Sequence, residues 1–244
     1  IHEDRSGVLW ISTSEGGLNR FDPQTETFTR HHHNPEDPDS LSYDFVFANH
    51  DDQSGALWVG TYGGGLNRFD PETETYARYQ QFPEDPHSVS GEIVTDVVED
   101  ASGTLWIATF DGGLNRFHPE SVCFYSYQHD PFDAHSLNND TLASLFVDQS
   151  GTLWIGTVGS GLNKLDPRRQ GFAVSQHNPG DANSLSNNDV RAIFEDRSGD
   201  LWIGTYGGLN RYDPETGRYT RYLHDPADPT SLGDDRMHAI AEDS

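Results

Sequence analysis

Cysteine and positive charge are scarce in this sequence. Cys123 is the only cysteine, so one chain can form neither an internal disulfide nor a cysteine metal cluster. Lys164 is the only lysine, and 15 basic residues stand against 40 acidic ones, which gives a formal net charge of -25. A chain this acidic repels phosphate groups, which argues against nucleic acid and anionic membrane surfaces as partners.

Long apolar runs are also absent. No run approaches the roughly 18 residues that span a membrane, and no signal peptide is visible. The chain begins at Ile1 inside a repeated unit, so we expect it to be part of a longer protein. The 24 glycines and 13 prolines are too many for a helical bundle. An aromatic content of 11% is too high for a disordered chain.

The chain is instead built on an internal repeat. All five tryptophans stand 48 residues apart, at Trp10, Trp58, Trp106, Trp154 and Trp202. A 48-residue repeat whose sequence is typical of β-strands and turns indicates propeller blades or a solenoid. We place the repeats at approximately 1–45, 46–93, 94–141, 142–189 and 190–236, with 237–244 supplying a further innermost strand.

Each repeat predicts a four-stranded antiparallel meander. In the fifth, strands A to D are expected at Val190–Glu195, Leu201–Thr205, Leu209–Tyr212 and Tyr219–Tyr222, separated by turn signals and followed by a long polar loop. The fold class is therefore all-β: a β-propeller of five four-stranded blades in one domain over 1–244. It forms either a closed five-bladed ring or an arc of a larger propeller.

The repeat carries a recognisable pattern. "DQSGALWVGTYGGGLNRFDPETETY" (Asp52–Tyr76) and "DQSGTLWIGTVGSGLNKLDP" (Asp148–Pro167) are its clearest copies. This pattern resembles the two-component regulator propeller repeat across all five units. The resemblance implies an input region outside the bacterial cytoplasmic membrane, periplasmic or extracellular, followed in the parent protein by a β-sandwich, a membrane helix and a kinase or cyclase. It also implies that, if the five blades are an arc, the larger propeller has about seven blades.

Residues that recur in every unit are interpreted as scaffold. The Asp of each Asp-x-Ser-Gly turn is expected to accept backbone N–H groups, and one carboxylate per turn is too few for calcium. The tryptophans are expected to pack in the core, and the strand-D aromatics are expected to form a rung between blades. The recurrent Asn is expected to hold the B–C turn. Asp-Pro, which is Asp166-Pro167 in the fourth unit, is expected to fix the C–D corner. The tract His31–His33 is expected to be a solvated edge. No metal or cofactor is predicted. The strand-D aromatics are Phe28, Tyr76, Phe124, Phe172 and Tyr219.

Function is expected where the copies differ. In a meander the B–C turns and D–A loops share one end of each blade, and these segments vary while the A–B and C–D turns do not. The predicted ligand-binding residues in the B–C turns are Glu15, Tyr62, Phe110, Asp111 and Tyr206. Those at the ends of the D–A loops are Asp44, Glu92, Asp140, Asn188 and Asp235. Rings beside carboxylates and amides suit a carbohydrate or another small polar ligand; the alternative is that the acids and amides only cap strand A.

Three classes of function stay open. The first is a ligand-sensing input module that passes a signal to neighbouring domains or a homodimer partner. The second is a protein-interaction or dimerisation scaffold without a small ligand. The third, a propeller lyase or glycoside hydrolase, would depend on singular residues such as Arg191 and His238. We expect no catalysis in this region.

Overall fold

The computed structural model describes residues 1–165 and 171–243 and contains only strands, turns and loops there. Twenty strands form five separate four-stranded antiparallel sheets, each in simple sequential order. The predicted all-β fold of five four-stranded blades is confirmed. The chain separates into two compact units, Ile1–Tyr127 and Gln128–Ser244, which are described separately below.

Unit one holds three blades. Blade one is β1 (His2–Glu3), β2 (Leu9–Ser12), β3 (Leu18–Asp22) and β4 (Thr27–His31). Blade two is β5 (Val46–Asp51), β6 (Leu57–Thr61), β7 (Leu66–Asp70) and β8 (Thr75–Tyr79). Blade three is β9 (Val94–Glu99), β10 (Leu105–Thr109), β11 (Leu114–His118) and β12 (Cys123–Tyr127).

Unit two holds two blades. Blade four is β13 (Leu142–Val147), β14 (Leu153–Thr157), β15 (Leu162–Leu165) and β16 (Phe172–Ser175). Blade five is β17 (Val190–Glu195), β18 (Leu201–Thr205), β19 (Gly208–Asp213) and β20 (Arg218–Tyr222). The strands predicted for the fifth repeat agree with β17 to β20 to within one residue at each end. The predicted corner at Asp166-Pro167 lies outside the described residues.

The cores lie between consecutive blades of one unit. One cluster joins Trp10 and Leu18 of blade one to Val59, Phe69 and Tyr76 of blade two. A second joins blades two and three, and a third joins blades four and five. Strand B of blades two to four is buried at every residue. In blade two this follows because blade one packs on one of its faces and blade three on the other. Burying one such aliphatic side chain contributes roughly 1.5–3 kcal/mol.

The aromatic rung is present with one exception. Tyr76, Phe124, Phe172 and Tyr219 are buried, and Tyr76, Phe124 and Tyr219 belong to the cores between neighbouring blades of one unit. Phe28 is 55% exposed and packs on Phe21 of its own blade, with ring centroids 4.8 Å apart. Phe28 is therefore not part of the core that blade one forms with blade two.

The segment after blade five differs from its predicted form. Residues 237–243 form no strand, whereas the sequence predicts an innermost strand at 237–244. The Met237 N–H donates to the Thr205 carbonyl (3.0 Å), as Val46 donates to Thr13 at the start of β5. The segment therefore starts like an A strand, but among the described residues it pairs with no B strand of unit two, and pairing is what defines a strand.

Candidate functional site

The recurrent aspartates accept a tryptophan indole N–H in addition to the backbone N–H groups that the sequence predicts. Asp52 Oδ1 accepts the N–H groups of Ser54 (2.9 Å) and Ala56 (3.0 Å), which closes the A–B turn. Its Oδ2 accepts the indole N–H of Trp58 at 2.8 Å. Burial alone would raise the pKa of Asp52, but the bonds from Ser54, Trp58 and the backbone hold that pKa below its ordinary value. The same aspartate–indole bond recurs in every blade, at 2.7–2.9 Å.

In blades two to five the recurrent asparagines have a role other than the one predicted, whereas Asn19 of blade one donates to the Gly16 carbonyl of the B–C turn, as expected. In blade two, Asn67 accepts the Ser42 N–H (3.0 Å) and donates to Ser42 Oγ (2.8 Å), so it joins strand C to the D–A loop that precedes the blade. Asn115, Asn163 and Asn210 bind the same loop position. The B–C turn is held instead by the last residue of strand B, where Thr61 Oγ1 donates to the Gly65 carbonyl.

Four of the five predicted D–A loop residues close their own loops. Oδ1 of Asp44, Asp140, Asn188 and Asp235 each accepts the N–H of a histidine eleven residues earlier, at 2.6–2.7 Å. The ring of that histidine donates from Nδ1 to a leucine carbonyl in the same loop. Glu92 differs, because Gln81 replaces the histidine, and within the described residues its exposed carboxylate makes no hydrogen bond. Of these five side chains, Glu92 is the one free to meet a ligand.

The histidine tract is not a uniform solvated edge. His32 is exposed, whereas His33 is the loop-closing histidine of blade one. The ring of His31 lies among aromatic rings, 5.5 Å from Trp10 and 5.0 Å from Phe69. Burial lowers the pKa of His31, so it is a neutral member of the core near pH 7.

The B–C turns and the ends of the D–A loops do meet at one end of each blade, which we call the variable end. In blade two the N–H groups of Gly63 and Gly65 both donate to the Glu92 carbonyl, at 3.0 and 2.9 Å. Gly65 has a φ of +71°, and an added Cβ would lie 2.3 Å from the Tyr79 carbonyl oxygen, so only glycine fits this turn. The B–C turns of blades one, four and five are fixed in the same way to the loop that follows strand D, since Gly17, Gly161 and Gly208 donate to the carbonyls of Asp44, Asn188 and Asp235.

A β-bulge turns one side chain of strand A out of the sheet at this end. The ladder between strands A and B skips one residue near the start of strand A in blades two to five, and bulges re-aim side chains. The skipped residues are Phe47, Thr95, Ala143 and Arg191. The aligned repeats show that these four residues occupy the same position of strand A, but they do not indicate the bulge.

Each bulged residue belongs to a set of three, which we call the presented triplet. The residue two positions before the bulge accepts, through its carbonyl, the N–H of the first B–C turn residue, as Phe45 does from Tyr62 at 2.9 Å. The triplets are Phe45, Phe47 and Tyr62 in blade two; Ile93, Thr95 and Phe110 in blade three; Thr141, Ala143 and Val158 in blade four; and Asp189, Arg191 and Tyr206 in blade five.

The triplet of blade two is an aromatic platform. Phe45 and Tyr62 stack with centroids 5.3 Å apart and an interplanar angle of 19°, and Phe47 lies 4.8 Å from Phe45. Tyr62 is 46% exposed and Phe47 is 44% exposed. Phe110 presents a further ring, 42% exposed, from blade three. The sequence indicates Tyr62 as a binding residue but neither Phe45 nor Phe47, although two phenylalanines two positions apart would share one face of a strand.

The triplet of blade five, in unit two, is charged. The Arg191 guanidinium lies 4.6 Å from the Tyr206 ring centroid and pairs with Asp189, with Nη2 3.1 Å from Oδ2. His238 packs edge-on against Tyr206 at 5.3 Å. Tyr206 is therefore engaged by its neighbours on both sides, unlike Tyr62. The remaining predicted residues, Glu15 and Asp111, are exposed on B–C turns of unit one.

Neither a metal centre nor a membrane span is found in the part of the chain that the structure describes. No group of three or more His, Cys, Asp and Glu side chains is arranged to hold a metal ion there. The same residues include no helix that is long and apolar enough to cross a bilayer.

Comparison with known proteins finds one family model that matches three of the five repeats. The model of the two-component regulator propeller matches residues 88–111, 136–159 and 184–207, each running from the end of a D–A loop to the following B–C turn. No curated protein matches the chain.

Several solved structures are similar to this chain. The extracellular domain of the putative hybrid two-component system BT3049 from B. thetaiotaomicron is 27% identical with a TM-score of 0.77, over 90% of this chain and 29% of that one. The extracellular domain of the putative one-component system BT4673 from that organism is 23% identical (TM-score 0.51; 91% of this chain, 34% of that one). Virginiamycin B lyase from Staphylococcus aureus is 15% identical (TM-score 0.69; 98% and 72%). The last two likenesses are of fold alone, and this chain spans about a third of the two extracellular domains.

Proposed function

We propose that this chain, in which the two-component regulator propeller model matches three of the five repeats, is part of the ligand-sensing input region of a bacterial membrane-bound receptor. In this proposal the region lies on the periplasmic or extracellular side, performs no catalysis itself, and passes its signal to neighbouring domains of the receptor. The likeness to the extracellular domain of a putative hybrid two-component system, at 27% identity, supports the proposal.

The observation that carries the ligand proposal is the exposed platform of Phe45, Phe47 and Tyr62 at the variable end. Rings at a protein surface, beside free carboxylates such as Glu92, suit the apolar faces and hydroxyl groups of a sugar. We propose that unit one binds a carbohydrate or another small polar ligand there, with Phe110, Glu15 and Asp111 as further contacts. Asp44, Asp140, Asn188 and Asp235 then act by fixing the loops, and Tyr206 presents a second, charged surface.

A thermal-shift screen against mono- and oligosaccharides tests this proposal. The double variant Tyr62→Ala/Phe110→Ala removes two exposed rings and is expected to weaken a stabilising saccharide tenfold or more, since each lost ring contact is worth about 1 kcal/mol. Tyr125→Ala is the matched control, because Tyr125 is equally exposed (48%) but lies on the outer strand of blade three.

The outcomes separate the functional classes. A saccharide that stabilises the wild type and Tyr125→Ala, but not the double variant, supports a sensor site at the variable end. A saccharide that stabilises all three chains equally contradicts the placement. If no saccharide binds and the whole receptor dimerises through this region, the interaction scaffold replaces the sensor.

A further inference from the structure

A cavity of about 330 Å³ lies between blades one and two, within unit one. Its wall includes the A–B turn residue Ser6 and the C–D corner residues Pro71 and Glu74, so it opens at the end of the blades opposite the variable end. None of the ten predicted binding residues lines it. The cavity is thus separate from the site proposed above, and its volume is that of a small-ligand pocket.

The floor of the cavity is aromatic. Trp10, His31 and Phe69 line it, with Trp10 edge-on to Phe69 at 5.5 Å and His31 edge-on to Phe69 at 5.0 Å. Leu57 completes the apolar surface. Because these rings are tilted relative to one another, they present both faces and edges to the cavity. A further aromatic ring can therefore make the edge-to-face and offset-stacked contacts that aromatic pairs prefer.

Most charges around the cavity are already engaged. Both carboxylate oxygens of Asp4 accept hydrogen bonds, from the A–B turn and from the Trp10 indole. Asp51 is paired with His2 and lies 3.5 Å from the Arg5 guanidinium, which also donates to the Gln53 carbonyl. These groups hold the two blades together and have little capacity left for a ligand.

Two opposite charges at the rim remain free. Arg20 extends from strand C of blade one and Glu74 from the C–D corner of blade two; both are exposed, and neither has a hydrogen bond or ion pair from its side chain within the described residues. Burial lowers the pKa of His31, while Glu74 raises it and Arg20 lowers it, so both charges lie within electrostatic reach of the cavity floor. The cavity therefore offers one cation and one anion above an aromatic floor.

The gap between blades two and three is an internal comparison. It holds a cavity of about 290 Å³ at the equivalent positions, 48 residues on. There Arg68 corresponds to Arg20, but Val122 stands in place of Glu74 and Tyr79 in place of His31. Arg68 lies 5.8 Å from the Trp58 ring centroid. The free pair of opposite charges is therefore a feature of the first gap and not of the repeat.

We propose that the cavity between blades one and two binds a small aromatic zwitterion, the chemical class of the free aromatic amino acids. The ligand carboxylate pairs with the Arg20 guanidinium and its ammonium group with the Glu74 carboxylate, while the ring lies against Trp10, His31 and Phe69. A ligand with a single charge can form an ion pair with only one of Arg20 and Glu74, and a neutral sugar can form an ion pair with neither.

Calorimetric titration of the chain with L-tryptophan and L-phenylalanine tests the proposal. The methyl ester lacks the carboxylate and the N-acetyl derivative lacks the ammonium group, so each is expected to bind at least tenfold more weakly than the free amino acid. Glu74→Gln and Arg20→Gln are expected to cause similar losses, and both residues are exposed, so the fold is retained. Arg68→Gln, the equivalent change in the second gap, is expected to leave binding unchanged.

Three results would overturn the inference: no binding of either amino acid at millimolar concentration, equal binding of the ester or the N-acetyl derivative, or equal losses in Arg68→Gln and Arg20→Gln. The saccharide site is tested separately, since Tyr62→Ala/Phe110→Ala leaves this cavity intact. Failure at one end of the blades is therefore distinguishable from failure at the other.

Discussion

Replacing Asp52 by alanine tests the bond that recurs most regularly in this fold. The change removes the acceptor of the Trp58 indole N–H and of the Ser54 and Ala56 N–H groups. Trp58 is only 3% exposed, and a buried donor that loses its acceptor costs about 1–3 kcal/mol. Loss of the bonds from the exposed Ser54 and the buried Ala56 costs about 1 kcal/mol more. We therefore expect a loss of about 2–4 kcal/mol in the free energy of unfolding.

Urea unfolding followed by tryptophan fluorescence measures this loss, with Glu72→Ala as a control for removing an exposed acid. A double-mutant cycle isolates the indole bond: in a Trp58→Phe background there is no donor left to orphan, and Asp52→Ala is expected to cost about 1–2 kcal/mol less. A coupling free energy below about 0.5 kcal/mol would refute the assignment of a supporting role to the aspartate–indole pair.

Three further changes test other parts of the scaffold. Asn67→Ala leaves buried groups of the preceding loop without partners and is expected to lower the free energy of unfolding by about 2–3 kcal/mol, measured by urea unfolding; a loss as small as that of Glu72→Ala would contradict the loop-to-strand role. Gly65→Ala is expected to cost clearly more than Gly55→Ala, because both have positive φ but only Gly65 has backbone within 2.3 Å of the added Cβ; equal melting temperatures would contradict the close approach. Burial lowers the pKa of His50 from 6.5, so its stabilising contribution is full above pH 6.5 and is lost as the pH falls toward the lower folded value. His50→Phe is expected to reduce the fall in melting temperature between pH 7.5 and 5.5, and an unchanged fall would exclude His50 as its source.

Periodicity and turn chemistry were enough to predict the strands. The 48-residue spacing of the tryptophans, and residues such as Gly199 and Gly217 at the turns, place β17 to β20 to within one residue at each end. Both signals depend on residues close together in the chain. The burial of the tryptophans follows for the same reason, because their apolar neighbours in strand B are visible in the sequence.

The partners of polar side chains were not predictable in this way. Asn67 binds a loop residue 25 positions earlier, and Asp44 binds the N–H of His33 eleven positions earlier. A recurrent residue indicates a structural role but does not identify its partner, since any nearby backbone group satisfies an amide or a carboxylate equally well.

The candidate site was predicted in outline only. The sequence indicates that the B–C turns and D–A loops share one end, and it selects Tyr62 and Phe110. It does not indicate the bulge that turns Phe47 outward, because a bulge is defined by the pairing of two strands. It also does not indicate that Glu92 is free while Asp44 is engaged, which depends on a single replacement of histidine by Gln81.

Hydrogen–deuterium exchange of the chain, with and without a pool of oligosaccharides, tests the central proposal most directly. We expect slower exchange on ligand addition at residues 43–47 and 61–65, where the platform of Phe45, Phe47 and Tyr62 lies, and no change in the A–B turns. Unchanged exchange at the platform, or protection confined to the A–B turns and C–D corners, would contradict a sensor site at the variable end.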